Sequence, residues 1–194
     1  MRGSLLAAVL LHAATAQPLH DAAAEGDYDR VVVLLERPGI DVNQANKGTR
    51  PPPHTASLNL THWRRRRADG WTPLQEAAAR HYEDVCKALV DAGANLDHQN
   101  NDGWTPLHEA AARGLMDTTR LLVEHGASLK VKNKDGDTAL HVAASHHMAE
   151  AVAYLLEKGA DPDEMNAEAR KPHSMAHGEA KELLLNWKKR GQDL

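Results

Sequence analysis

A 33-residue repeat, a turn-and-cap signature opening each copy, and an Ala-rich run followed by a longer apolar run predict an all-α solenoid of helix-turn-helix units joined by β-turn loops. Leu74, Leu107 and Leu140 recur at an interval of 33 residues. They lie in three segments that align without gaps, opening Asp69-Gly70-Trp71-Thr72-Pro73-Leu74, Asp102-Gly103-Trp104-Thr105-Pro106-Leu107 and Asp135-Gly136-Asp137-Thr138-Ala139-Leu140. An earlier copy reads Pro18-Leu19-His20-Asp21-Ala22-Ala23, and a degenerate later copy begins near Lys171-Pro172-His173.

Each element of a copy has a physical reason. Asp-Gly is a turn pair in which glycine accepts a positive φ. Thr105 is a helix N-cap, and Pro106 occupies the first helical position, where its missing N–H costs nothing. Ala110 and Ala111 are small enough for a neighbouring helix to approach closely, and Gly114 closes this first helix. Leu121, Leu122 and Val123 are expected to form the apolar face of the second helix, which Gly126 ends. The matching residues are Val85, Ala88, Leu89 and Val90 in the preceding copy, and Val152, Tyr154, Leu155 and Leu156 in the following one. One unit alone cannot bury these faces, so neighbours must stack. The last copy is more polar: Ala169 stands for Gly, Lys171 for Thr, His173 for Leu and His177 for Ala. It is expected to act as a cap, with a final helix over Glu182 to Lys189 and a basic end suited to the helix dipole.

The motif T-P-L-H-x-A-A on a 33-residue unit resembles the ankyrin-repeat family, over residues 17–190 apart from one insertion, with residues 191–194 as a tail. The resemblance implies a β-turn followed by two antiparallel helices in every unit, four units and a C-terminal cap. It implies that the motif histidines, His20, His108 and His141, brace neighbouring turns, with Gln75 in that place in the second copy. It further implies protein binding by the concave face of turn tips and first helices, as scaffold, adaptor or inhibitory subunit, with no cofactor. The family's variable contact positions fall on Asp69, Trp71, Ala79 and Arg80, then Asp102, Trp104, Ala112 and Arg113, then Asp135, Asp137, Ser145 and His146. Trp and Arg are enriched at binding hot spots, so Trp71 and Trp104 are expected as exposed contacts at their turn tips. The flanking acids suit a partner bearing Lys or Arg.

The first and second copies are out of step: Pro18 and Pro73 lie 55 apart. One extra residue between Gly26 and Gly39 and a block at residues 48–68 account for the difference, and leaving them out restores the register. That block holds three consecutive prolines, the run Arg64 to Arg67 and no acid, and it is either a functional loop or a retained short intron. With its five arginines set aside, a chain of net charge −4 leaves a repeat body of −9. Residues 1–16 read either as a signal peptide, with Leu5 to Leu11 apolar and Ala14-Thr15-Ala16 as cleavage site, or as an N-terminal capping helix. The first reading makes the protein a secreted effector; use of the Arg run would make it a nuclear regulator. Cytoplasm or nucleus is the expected location otherwise.

Composition excludes several other classes. An acidic chain offers no basic footprint for nucleic acid, and no apolar run reaches membrane-spanning length. Cys86 is the single cysteine, so neither an intramolecular disulfide nor a multi-cysteine metal site can form. His108-Glu109 starts like a zinc-protease motif, but Ala112 stands where the second His is needed. No phosphate loop and no nucleophile–base pair is present, so neither catalysis nor metal binding is expected. A monomer whose partner is another protein is the reading that remains.

Overall fold

The computed structural model describes residues 18–46 and 70–190, with side chains to 187. The readings of residues 1–16, of the block at 48–68, of Asp69 and of the tail at 191–194 lie outside the described residues. Ten helices and no strand occur among the described residues, and the chain divides into two compact units at Asn95 and Leu96.

The first unit contains α1 (Pro18–Glu25), α2 (Tyr28–Leu35), α3 (Pro73–Arg80) and α4 (Glu83–Asp91). Helix α1 packs on α3, and α2 on α4. Leu19, Ala22, Ala23, Val31, Leu34, Leu74, Ala77, Ala78, Val85, Cys86 and Leu89 form its core. Asp27 caps α2 by accepting from the Arg30 N–H at 3.0 Å. Thr72 caps α3, and the Gln75 side chain returns the bond by accepting from the Thr72 N–H at 3.0 Å. Gly26, at φ +73, lets the second helix pair approach the first, because a Cβ there would lie 2.7 Å from the ring of Tyr82, which precedes α4.

The turn ahead of α3 is closed by residues far apart in sequence. The Asn46 N–H donates to the Trp71 carbonyl at 2.7 Å, and the Gly70 N–H donates to the Asn46 carbonyl at 3.1 Å. The Asn46 Oδ1 accepts from the N–H groups of Gly70 at 3.0 Å and Trp71 at 3.1 Å. An uninterrupted turn in the second unit has the same bonds: Asn100 N–H to Trp104 carbonyl at 3.0 Å and Gly103 N–H to Asn100 carbonyl at 2.8 Å. The chain therefore leaves at Asn46, re-enters at Gly70, and completes an ordinary repeat turn.

The second unit contains α5 (Pro106–Arg113), α6 (Met116–Glu124), α7 (Ala139–Ser145), α8 (Ala149–Glu157), α9 (Pro172–Met175) and α10 (Gly178–Arg190). First helices stack as α5 on α7 on α9, and second helices as α6 on α8 on α10. The expected apolar face of α6 is corrected: Thr118, Thr119 and Leu122 are buried, while Leu121 and Val123 are half-buried. Positions 118, 119 and 122 lie together at i, i+1 and i+4 on the covered face of α6, and Leu121 and Val123 lie at its two edges. In α8 the expected Val152, Tyr154, Leu155 and Leu156 are all buried.

The terminal copy departs from the others for a local reason. Lys171 supplies no side-chain hydrogen bond at the N-cap of α9, which stops after four residues. His173 and His177 therefore do not share a helix. The final helix starts at Gly178, four residues before the expected Glu182, and buries Leu184 while Leu185 is exposed. Ala169 adopts φ 56, the left-handed conformation that Gly103 and Gly136 hold in the preceding turns.

Candidate protein-interaction surface

The second unit shows how the turn tips are held. Asn100 Oδ1 accepts from the N–H groups of Asp102 and Trp104, both at 2.9 Å. Asn133 does the same for Asp135 and Asp137, both at 2.9 Å, and Asn166 for Glu168 at 3.0 Å and Arg170 at 2.9 Å. Successive tips are joined by backbone bonds, Lys134 N–H to Asp102 carbonyl at 3.1 Å and Ala167 N–H to Asp135 carbonyl at 3.0 Å. Asn100, Asn133 and Asn166 recur at 33-residue intervals, a signal available in the sequence that motif reading passed over.

The motif histidines tie helix starts to the following turn. Thr105 N–H donates to His108 Nδ1 at 3.2 Å, so the neutral ring carries its proton on Nε2. That Nε2–H donates to the Asp137 carbonyl at 3.0 Å. His141 repeats the arrangement, with Thr138 N–H at 3.3 Å and the Arg170 carbonyl at 3.1 Å. Burial pushes both imidazoles below their ordinary range; the bonds to the Asp137 and Arg170 carbonyls oppose this without cancelling it. In the first unit His20 Nε2 stands 3.7 Å from Glu76 Oε1.

The expected contact residues divide into exposed and withdrawn groups. Asp102, Arg113, Asp135 and His146 are exposed, and Trp104 is half-buried with its ring centroid 6.0 Å from that of His108. Arg113 pairs with Glu109 across one helical turn at 3.3 Å. Ser145 is half-buried, its hydroxyl donating to the Val142 carbonyl at 3.0 Å. Asp137 is only 9% exposed, and its Oδ1 accepts from Asn166 Nδ2 at 2.7 Å, so its carboxylate serves the turn stack. Ala79 and Ala112 are buried.

Trp71 corrects an expectation. It is 7% exposed rather than displayed at a tip, and its Nε1 is buried with no hydrogen-bond partner among the described residues. Arg80, half-buried, pairs with Glu76 at 3.1 Å. Cys86 is a buried free thiol. Among the described residues, no group of three or more His, Cys, Asp or Glu side chains could hold a metal ion, and no helix is long and apolar enough to cross a membrane.

Comparison with known proteins agrees with the repeat geometry. Residues 52–133 and 82–166 match the family model for ankyrin repeats (3 copies), and residues 17–47 match that for the ankyrin repeat. A search of curated proteins found no match. Family matches cover more than half of the chain, and the turns, capped first helices and bracing histidines are those the motif requires: the chain belongs to the ankyrin-repeat family.

Proposed function

We propose that the chain is a non-catalytic scaffold, adaptor or inhibitory subunit that holds its partner on the turn tips and first-helix ends of the second unit. Ankyrin repeats are protein-protein interaction modules, and the narrower reading rests on one observation. Asp102, Arg113, Asp135 and His146 stand exposed, beside the half-buried Trp104, on turn tips held by the Asn100 and Asn133 side chains. Rigid display lowers the ordering cost of binding. Trp and Arg supply anchoring contacts, and the two aspartates steer a basic partner and disfavour an acidic one. Asp137 and Trp71 have no part in this surface, because both are buried.

The test is proximity capture in the native cell with the wild-type chain and with Trp104→Ala combined with Arg113→Glu. A protein enriched by the wild type and lost with the variant, at unchanged far-UV circular dichroism and Tm, is the expected result. Undiminished enrichment by a folded variant would place the binding surface elsewhere.

A further inference from the structure

We propose that His147 and His177 chelate a divalent transition-metal ion of the Zn²⁺ type at the junction of the last two repeats. Their rings lie 5.0 Å apart, centre to centre, and are nearly perpendicular at 89°. Both residues are exposed.

The shortened last repeat brings them together. Gly114 follows the first helix of its repeat at φ +65, and a Cβ there would lie 2.8 Å from the sulfur of Met148, the residue that precedes α8. His147 stands 33 positions after Gly114, in the same left-handed conformation at φ 62. His177 precedes α10 as Met148 precedes α8. Met148 and His177 are 29 positions apart, four short of a full repeat, because α9 stops after four residues. A glycine–methionine junction in one place is thus a histidine–histidine junction in the next. A β-carbon in the left-handed region costs energy that glycine avoids, so packing alone does not call for histidine at 147.

The spacing suits two ligands of one ion. Imidazole is a usual ligand for zinc, copper and nickel. Zn–N bonds of about 2.0–2.1 Å place each ring centre about 3.2 Å from the ion, and two rings at the tetrahedral angle of about 109° then lie about 5.2 Å apart. The observed 5.0 Å is close to that separation. Both rings are exposed, and the χ2 torsion of histidine is broad, so each ring can turn a nitrogen toward a common point. Helix starts disfavour a cation, and the first-turn acids Glu150 of α8 and Glu179 of α10 offset this. Two imidazoles leave the remaining coordination positions to water.

The experiment is calorimetric titration of the full chain with Zn²⁺ at neutral pH, with Tm read in Zn²⁺ and in EDTA. The variants are His147→Gly, which copies Gly114 and keeps the turn, His177→Ala, the two combined, and His173→Ala as control. Expected is one ion per chain, bound at least about tenfold more weakly by either single variant. The combined variant should lose no more than either single one, because a chelate is lost whole. Zn²⁺ should raise the Tm of the wild type and of His173→Ala, since only the folded chain holds the two rings together, and should leave the other variants unmoved. A folded wild type with no saturable binding would overturn the proposal. So would affinity unchanged in His147→Gly or His177→Ala, which would leave the ring contact as packing alone. Losses that add, or an equal loss in His173→Ala, would assign the ion to other ligands and overturn it as well.

Discussion

Deleting residues 48–68 should stabilise the protein. The deletion joins Lys47 to Asp69, which then take the places of Asn101 and Asp102 in the uninterrupted turn. Every hydrogen bond that closes the turn, between Asn46 and the pair Gly70 and Trp71, lies outside the deleted block. Among the described residues, what changes is the length of chain that must be closed on folding. Asn46 and Trp71 are separated by 25 positions, while Asn100 and Trp104 are separated by 4. Loop-closure entropy scales as (3/2)RT ln n, so the shorter loop is worth about 1.6 kcal/mol. For a chain of this size that raises Tm by about 3–6 °C. Paired urea and thermal melts of the full chain and the deletion variant measure it. A deletion variant that is less stable, or that loses helicity, would refute the reasoning. The block would then contribute contacts to the fold, and Asn46 and Gly70 would not close the turn alone.

Three further outcomes follow from local geometry. Gly103→Ala should cost at least about 3 kcal/mol, because it adds left-handed strain and a Cβ 2.8 Å from the Lys134 nitrogen. Gly159→Ala, at φ +91 with nothing within 4 Å of its Cβ, should cost only about 1–2 kcal/mol, and Ala169→Gly should gain about 1 kcal/mol; urea midpoints read all three. Thr118→Val should stabilise by about 1 kcal/mol, since the Thr118 hydroxyl is buried with no hydrogen-bond partner among the described residues and α4 has Val85 in that place; an unchanged or lower urea midpoint would count against this. Stability should also fall on acidification. Burial lowers the folded-state values of His108 and His141, so the unfolded chain takes up protons first as pH drops. The stability is fully present above about pH 6.5 and is lost below it, by up to about 1.4 kcal/mol per pH unit for each histidine. His108→Gln with His141→Gln, copying the Gln75 cap, should flatten the slope of unfolding free energy between pH 7.5 and 5.5, and an undiminished slope would contradict the assignment.

The parts of this fold carried by local chemistry were readable from the chain. Turn, cap and first helix are set by neighbours three or four residues apart, as in Thr105-Pro106-Leu107-His108, and the structure follows them. Residue choice at long range was not readable in the same way. Trp71 and Trp104 sit in the same string, Gly-Trp-Thr-Pro-Leu, yet one is buried and the other half-buried, because three-dimensional surroundings decide burial. Asp137 looked like a tip acid until Asn166, 29 positions on, was found to hold it. The burial of Thr118 and Thr119 over Leu121 reflects helical phase, which a count of apolar residues overlooks. Asn46 could have been found by aligning on Asn100, Asn133 and Asn166 instead of on the Pro-Leu motif.

The most direct measurement is hydrogen exchange of the chain with and without the partner recovered by proximity capture. Partner binding through the displayed surface predicts added protection at residues 100–104 and 133–137 and at the ends of α5 and α7, around Arg113 and His146. Protection confined to α6 and α8, with the turn tips unchanged, would contradict it.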